Sequence, residues 1–225
     1  MTRRPIIAID GPAGCGKTTV ARLVAQGLGC AWLDTGRMYR AIALKAIRAG
    51  VDLSDGAALT SLAERTEFAL RSKAGDSLLL TDGEDVCSLL DSPEVDDGSS
   101  RVAVVPGVRA ALARAQRAMG AQGGLVAAGR DMQTVVFPDA DLKVFLQASP
   151  LVRARRRALQ RGPAPPQEEL DRIAAEIAER DLRDSTRAVS PLRPAPDAVV
   201  IDTDPLSAGQ VADRIVALLQ ERHAR

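Results

Sequence analysis

The run Gly11-Pro12-Ala13-Gly14-Cys15-Gly16-Lys17-Thr18-Thr19 fits the pattern G-x-x-x-x-G-K-[ST], and its chemistry can be read residue by residue. Glycines let the backbone curl until several N–H groups point inward, which makes a concave donor surface for phosphate oxygens. A lysine at the place of Lys17 reaches the β- and γ-phosphates of a nucleoside triphosphate, and the Thr18 hydroxyl is a ligand for Mg²⁺. The flanks have the order that such a loop requires. Ile6-Ile7-Ala8-Ile9 is a short apolar run suited to a buried strand, and residues 19–28 read as a helix with Val20, Leu23, Val24 and Leu28 on one face. A glycine-rich turn without a ligand is the competing reading, and the strand–loop–helix order speaks against it.

Three further clusters carry chemistry. Leu33-Asp34-Thr35-Gly36-Arg37-Met38-Tyr39-Arg40 reads as a strand end, a helix cap from Asp34 and Thr35, and an arginine one turn into the helix. A helix N-terminus with an arginine beside it is an anion site. Ala128-Gly129-Arg130-Asp131-Met132-Gln133-Thr134 again lies just past an apolar run. In the stretch 179–187, Arg180, Asp184 and Arg187 fall at i, i+4 and i+7 and share one helix face. Taken alone, that cluster also reads as a solvated face laced by i,i+4 ion pairs. The near-absence of lysine from these clusters points to phosphate, because the planar guanidinium fork suits oxygens held by two hydrogen bonds.

The elements that must position these groups follow from periodicity. Apolar runs at 6–9, 31–33, 125–128, 142–146 and 198–201, with a weaker one at 78–81, alternate with helical patterns. The alternation implies an α/β fold with a parallel sheet covered by helices on both faces. Ligands of such folds bind beyond the carboxyl ends of the strands, where the polar clusters lie. The segment from about 62 to 100 differs: strand-like pieces at 66–70 and 77–80 and the turn Asp82-Gly83 read as a small inserted subdomain. Residues 161–166, rich in Gly and Pro, make a mobile loop between an arginine-rich helix (Arg153, Arg155, Arg156, Arg157) and an amphipathic helix from 167 to about 183. The last helix opens on the capping box Ser207-x-x-Gln210.

Composition excludes several classes. The 225 residues suit one domain, or a core with a subdomain, and 46% hydrophobic content suffices for a packed core. Aromatics are only 2%, so the interior is aliphatic and there are few rings on which to stack single-stranded bases. A net charge of +1 gives no electrostatic case for a nucleic acid polymer. Cys15, Cys30 and Cys87 are odd in number and lack C-x-x-C spacing, which speaks against a disulfide framework or a zinc site and for a reducing cytoplasm. Cys15 reads as a small residue filling a loop position. No apolar run approaches a membrane span or a signal sequence, and no heptad seam argues against a monomer. The lone histidine, His223, sits in an expected frayed terminus and is given no catalytic role.

The phosphate loop, Leu-Asp-Thr-Gly-x-Met-Tyr-Arg at 33–40, Gly-Arg-Asp-Met-x-Thr-Val-Val-Phe-Pro-Asp-Ala at 129–140 and Arg-Asp-x-Arg-Asp-x-x-Arg at 180–187 together resemble the bacterial cytidylate kinases. The likeness runs in order through nearly the whole chain and includes the insert of that family's longer form. It implies a P-loop nucleoside-monophosphate kinase fold: a five-stranded parallel core, a monophosphate-binding arm at 34–100 with its insert at about 62–100, and a short lid at 155–168. It also implies phosphoryl transfer from ATP to CMP or dCMP with Mg²⁺. By this resemblance Arg40, Arg130 and Arg187 hold the acceptor phosphate, while Ser100, Arg109 and Asp131 read the cytosine. Arg180 and Asp184 address the sugar and phosphate side, Thr35 and Tyr39 line the monophosphate pocket, and Arg156 and Arg157 stand near the lid and join Lys17 in the catalytic set.

Base chemistry agrees with these roles. A carboxylate at Asp131 accepts from the cytosine N4 amino group, whereas uracil presents a lone pair there. An unmatched buried polar contact costs about 1–3 kcal/mol, roughly 10- to 150-fold. Two positions depart from the family's pattern: Ala128 stands where Asp is usual before Gly-Arg-Asp, and Gln133 where Gly is usual. The first leaves Thr18 and solvent to hold Mg²⁺ and predicts a weaker protein-side metal dependence. The second puts a side chain where the backbone is expected to need freedom. Another small-molecule kinase on the same core, and a nucleotide-binding module without catalysis, remain the alternatives.

Overall fold

The computed structural model describes residues 4–73, 76–161 and 165–224. In chain order it forms β1 (Arg4–Asp10), α1 (Lys17–Leu28), β2 (Ala31–Asp34), α2 (Thr35–Arg48), α3 (Gly56–Glu64), β3 (Phe68–Lys73), β4 (Asp76–Thr81) and β5 (Glu84–Asp85). Then follow α4 (Pro93–Val102), α5 (Pro106–Gly120), β6 (Gly123–Gly129), β7 (Leu142–Gln147), α6 (Pro150–Arg161), α7 (Gln167–Thr186), β8 (Val199–Asp202) and α8 (Ala208–His223). Residues 162–164, within the expected lid and mobile loop, and the His223 side chain lie outside what is described.

The five apolar runs pair as one parallel sheet in the order β2-β6-β1-β7-β8. Strand alternation splits the core between its two faces. Ile6 and Ala8 of β1 join Leu33, Met38, Ile42 and Leu125 on one side; Ile7 and Ile9 join Val20, Val24, Val144 and Ile215 on the other. Register then fixes what meets at the carboxyl edge: Asp10 lies beside Gly129, and Asp34 beside Ala128. The weaker run at 78–81 lies in a three-stranded antiparallel sheet, β3-β4-β5, within the segment expected to be the insert. Its hairpin turns on Asp82 and Gly83 at φ 51° and 82°, the left-handed pair that a two-residue type I′ loop needs. This small sheet is stapled to the edge strand β2, where the Trp32 N–H donates to Ser77 Oγ at 2.9 Å and the Trp32 indole N–H donates to Asp76.

α7 runs three residues past its expected end. The α8 capping box is present with both of its hydrogen bonds. Among the described residues no helix is long and apolar enough to cross a membrane.

Gln133 does not occupy a strained backbone position. It lies in a single π-turn, Met132–Val136, outside the left-handed region, so the expected need for glycine there is absent. Its buried amide bridges two elements, donating to the Val144 carbonyl at 3.3 Å and accepting from the Ala195 N–H at 2.9 Å. Gln133→Gly is therefore expected to lower stability by about 2 kcal/mol, since two buried backbone groups lose a partner and the turn gains unfolded-state entropy. Urea unfolding measures this, and a change within experimental scatter would mean that the bridge carries no weight.

Candidate active site

The phosphate loop bends where its glycines allow. Gly11 has φ +153°, and a Cβ there would meet the Leu146 carbonyl oxygen at 2.2 Å. Gly16 has φ +90° and caps α1, and a Cβ there would meet nothing within 4 Å, so the loop faces open space on that side. Lys17 Nζ donates to the Pro12 carbonyl at 2.6 Å and lies 3.7 Å from the sulfur of the buried Cys15. Burial pulls the Lys17 ammonium down to about 8, and Arg130 adds to that pull, while Cys15, Asp34 and Asp10 oppose it. Thr18 Oγ1 donates to Asp34 Oδ2 at 2.6 Å, and Asp34 also caps α2 by accepting from the Gly36 N–H.

Two carboxylates that the sequence did not single out brace this loop and its neighbour. Asp181 accepts from the Ala13 N–H at 3.1 Å and pairs with Arg153, whose guanidinium also donates to the Ala13 carbonyl. Helices α6 and α7 thus grip the loop at one residue. Asp10, fully buried, accepts from the Met132 and Gln133 N–H groups at 3.0 and 2.9 Å and so anchors the turn that presents Arg130 and Asp131. Burial pushes its carboxyl up to about 6 in spite of those two bonds.

The arginine-bearing clusters converge. Arg130 Nε donates to Asp184 Oδ2 at 2.8 Å, and Arg187 Nη1 stands 3.5 Å from the other oxygen of the same carboxylate. Burial raises the Asp184 carboxyl, but Arg130, Arg187 and Arg180 outweigh it and hold it below its usual range. Arg109 pairs with Asp131, both nearly inaccessible, and also donates to the Ala103 carbonyl. Its guanidinium carbon lies 5.5 Å from the centre of the Tyr39 ring. Burial pushes the Tyr39 phenol up to about 12, with Arg109 pulling the other way. Thr35 is buried, its hydroxyl on the Ala128 carbonyl at 3.0 Å. Arg187 Nη2 and Arg109 Nε are buried without a hydrogen-bond partner.

Other expected residues meet on a neighbouring carboxylate, with Arg180 close enough to both groups to feel Asp96, Asp184 and Arg130. Arg40 turns onto Asp91 and Asp96 at 3.0 and 2.7 Å, and Arg180 and Arg157 also reach Asp96. Ser100 is half-buried on α4, the helix that carries Asp96. Arg156 does not join this group: it closes on the hydroxyl and carbonyl of Thr203, just past β8, at 2.8 and 2.7 Å. A cleft of about 640 Å³ beside the loop runs from Thr18 and Thr19 to Trp32, Arg37 and Asp76. It is not lined by Arg130, Asp131, Asp184 or Arg187, whose side chains are engaged in the ion pairs Arg109–Asp131, Arg130–Asp184 and Arg187–Asp184.

A sequence profile of the cytidylate kinase family matches residues 7–221. The chain is 50% identical over 222 residues to a bifunctional pantoate ligase/cytidylate kinase of a Synechococcus strain, an alignment covering 97% of this chain and 41% of that protein. It is also 50% identical over 218 residues to the cytidylate kinase of Pelotomaculum thermopropionicum, covering 96% of each. The chain thus spans about two-fifths of the bifunctional relative and nearly all of the shorter one. A shikimate kinase from Acinetobacter baumannii, solved with shikimate, superposes with a TM-score of 0.51 at 16% identity, covering 99% of this chain and 96% of that one, a likeness of fold. The profile spans the chain from its first strand to its last helix, and on that extent the chain belongs to the cytidylate kinase family.

Proposed function

We propose that this chain transfers the γ-phosphoryl group of ATP to CMP or dCMP. The observation that carries this reading is the pair of unpartnered, buried guanidinium nitrogens on Arg187 and Arg109, set against the Asp131 carboxylate and the Tyr39 ring. Buried donors without acceptors are costly, and an anionic nucleotide offering phosphate oxygens and a cytosine acceptor edge satisfies them. Arg130 acts on the Lys17 ammonium across the space between them, which supports reading the donor loop and the acceptor arginines as one site. In this reading residues 34–100 are the acceptor arm, with the insert at about 62–100, and residues 155–168 are the lid.

No general base is required, because the acceptor phosphate oxygen is already ionised at neutral pH. The residues act by position and charge. Loop N–H groups and Lys17 hold the donor's phosphates. Arg130 and Arg187 draw the acceptor toward them, and Asp131 accepts from the cytosine amino group. Closure of the lid excludes water, which would otherwise accept the phosphoryl group. Thr18 Oγ1 beside the Asp34 carboxylate offers the hard oxygen donors that Mg²⁺ takes. Bound with the triphosphate, Mg²⁺ would neutralise charge and order the phosphates. Among the described residues no group of three or more His, Cys, Asp or Glu side chains is placed to hold a metal ion. Ala128 lies beside Asp34 across the strand pair, so Asp34 stands alone where the usual pattern would place two acids.

A coupled assay with ATP and CMP, dCMP, UMP or AMP tests the reading, and a Mg²⁺ titration in the same assay tests the weaker metal hold. CMP and dCMP should exceed UMP by about 10²-fold in kcat/KM; equal turnover of UMP would overturn the base assignment. The monomer and the cytoplasmic location are carried as part of the same proposal; the three free cysteines bear on the location alone.

The Lys17 ammonium, lowered to about 8, loses its charge as pH rises through that value and keeps it below. Because kcat/KM for ATP reports the groups of the free enzyme, it should fall about tenfold per pH unit beyond that point. Lys17→Arg, charged throughout, should show a flat profile at a lower rate. A fall of equal slope in both enzymes would assign the pH dependence to another group.

A further inference from the structure

Asp96 lies in the first turn of α4, outside every motif that the sequence offered. Its Oδ1 accepts from Arg40 Nη2 at 2.7 Å and Arg180 Nη1 at 3.3 Å, and its Oδ2 accepts from Arg157 Nη2 at 3.0 Å. The three guanidinium groups come from α2, α7 and α6, elements that have no sequence neighbourhood in common with α4. Burial raises the Asp96 carboxyl, but the three guanidinium groups outweigh it and hold it below the usual range. Two further carboxylates face this cluster, Asp91 on Arg40 and, at longer range, Asp184 on Arg180. Arg40, moreover, has both of its terminal nitrogens on carboxylates, Nη2 on Asp96 and Nη1 on Asp91. An arginine so engaged cannot hold a phosphate with its fork until it lets go.

Resting on the reading of the cleft as a CMP kinase site, we infer that Asp96 is a built-in stand-in for the acceptor phosphate. It gathers Arg40, Arg157 and Arg180 between turnovers, and the incoming phosphate must displace it. The arginines thus exchange between two anions: an internal carboxylate and the phosphate of the acceptor. A ligand that binds only the released state has its apparent affinity reduced by the fraction of protein in that state. Asp96 therefore sets acceptor affinity without touching the base or the reacting atoms, and it eases departure of the phosphorylated product.

Titration calorimetry with CMP and with cytidine, on the wild-type chain and on Asp96→Asn and Asp96→Ser, tests the inference. Both variants should bind CMP about 3- to 10-fold more tightly and cytidine unchanged, because only the phosphate competes with the carboxylate. In steady state KM for CMP should fall while kcat stays level or drops. Unchanged or weaker CMP binding in folded variants, with melting curves recorded for both, would overturn the role; weaker binding would make Asp96 an organiser of the arginines, not their competitor. A wild-type chain that binds CMP no better than cytidine and does not phosphorylate it would overturn the CMP reading itself. A wild-type chain that does both, with variants that do not tighten, removes only the inference about Asp96.

Discussion

Lys17→Met is expected to lower kcat for phosphoryl transfer to CMP by about 10²- to 10³-fold, with the fold intact. Lys17 is the lysine of the phosphate loop, and its ammonium is held over that loop by the Pro12 carbonyl at 2.6 Å. A charge fixed in place before the reaction costs no reorganisation when negative charge moves between donor and acceptor, which is why its loss falls on kcat. Methionine keeps the length and packing of the side chain and removes only the charge. Because burial already disfavours the charged form of Lys17, the variant should melt no lower than the wild type. Rate and melting temperature together separate catalysis from stability. A variant retaining more than about a tenth of wild-type kcat would show that the loop's N–H groups and the arginines suffice alone.

Asp131→Asn is expected to act on both specificity and stability. Asp131 and Arg109 are 8% and 5% exposed, so the pair is shielded from water and from salt. Removing the charge of one partner leaves the Arg109 guanidinium buried without its counter-ion, at a cost of about 3 kcal/mol in unfolding free energy. In the proposed site the same change replaces the carboxylate assigned to the base by an amide, which can donate to the O4 of uracil as well as accept from cytosine. Preference for CMP over UMP in kcat/KM should therefore fall by about 10- to 100-fold. The stability half is checked by a cycle with Arg109→Leu and Asp131→Leu: the double variant should cost less than the sum of the singles, because neither leaves a lone buried charge. Additive costs would mean that the two groups are solvated independently of each other. Unchanged discrimination would place base reading elsewhere, Ser100 on α4 being the next residue to vary.

What the sequence legibly carried was local. A strand, a glycine loop and a helix in immediate succession, the left-handed Asp82-Gly83 hairpin and the Ser207–Gln210 capping box each depend on residues within a few positions of one another. So does the sheet class, since apolar runs alternating with helical periods leave few other arrangements. Order within the sheet was not legible in the same way. The run at 125–128 is third of the five in the chain, yet as β6 it pairs with both β1 and β2.

The four arginines of α6 show where tertiary structure decides. Arg153 grips the phosphate loop at Ala13 and pairs with Asp181, Arg155 is exposed, Arg156 closes on Thr203, and Arg157 reaches Asp96. Residue type and helix are the same for all four, and only the surroundings differ. Those surroundings are supplied by partners 28 to 140 positions away in the chain. The Asp10 bonds to the turn at 132–133 span 122 and 123 positions, and the Asp34–Ala128 adjacency arises because β6 inserts between β1 and β2. The chain alone determined which chemical groups are present and the loop that cradles phosphate, because backbone geometry answers to near neighbours. Which carboxylate neutralises which arginine was decided only by the folded sheet, because electrostatic pairing depends on distance through space and not along the chain.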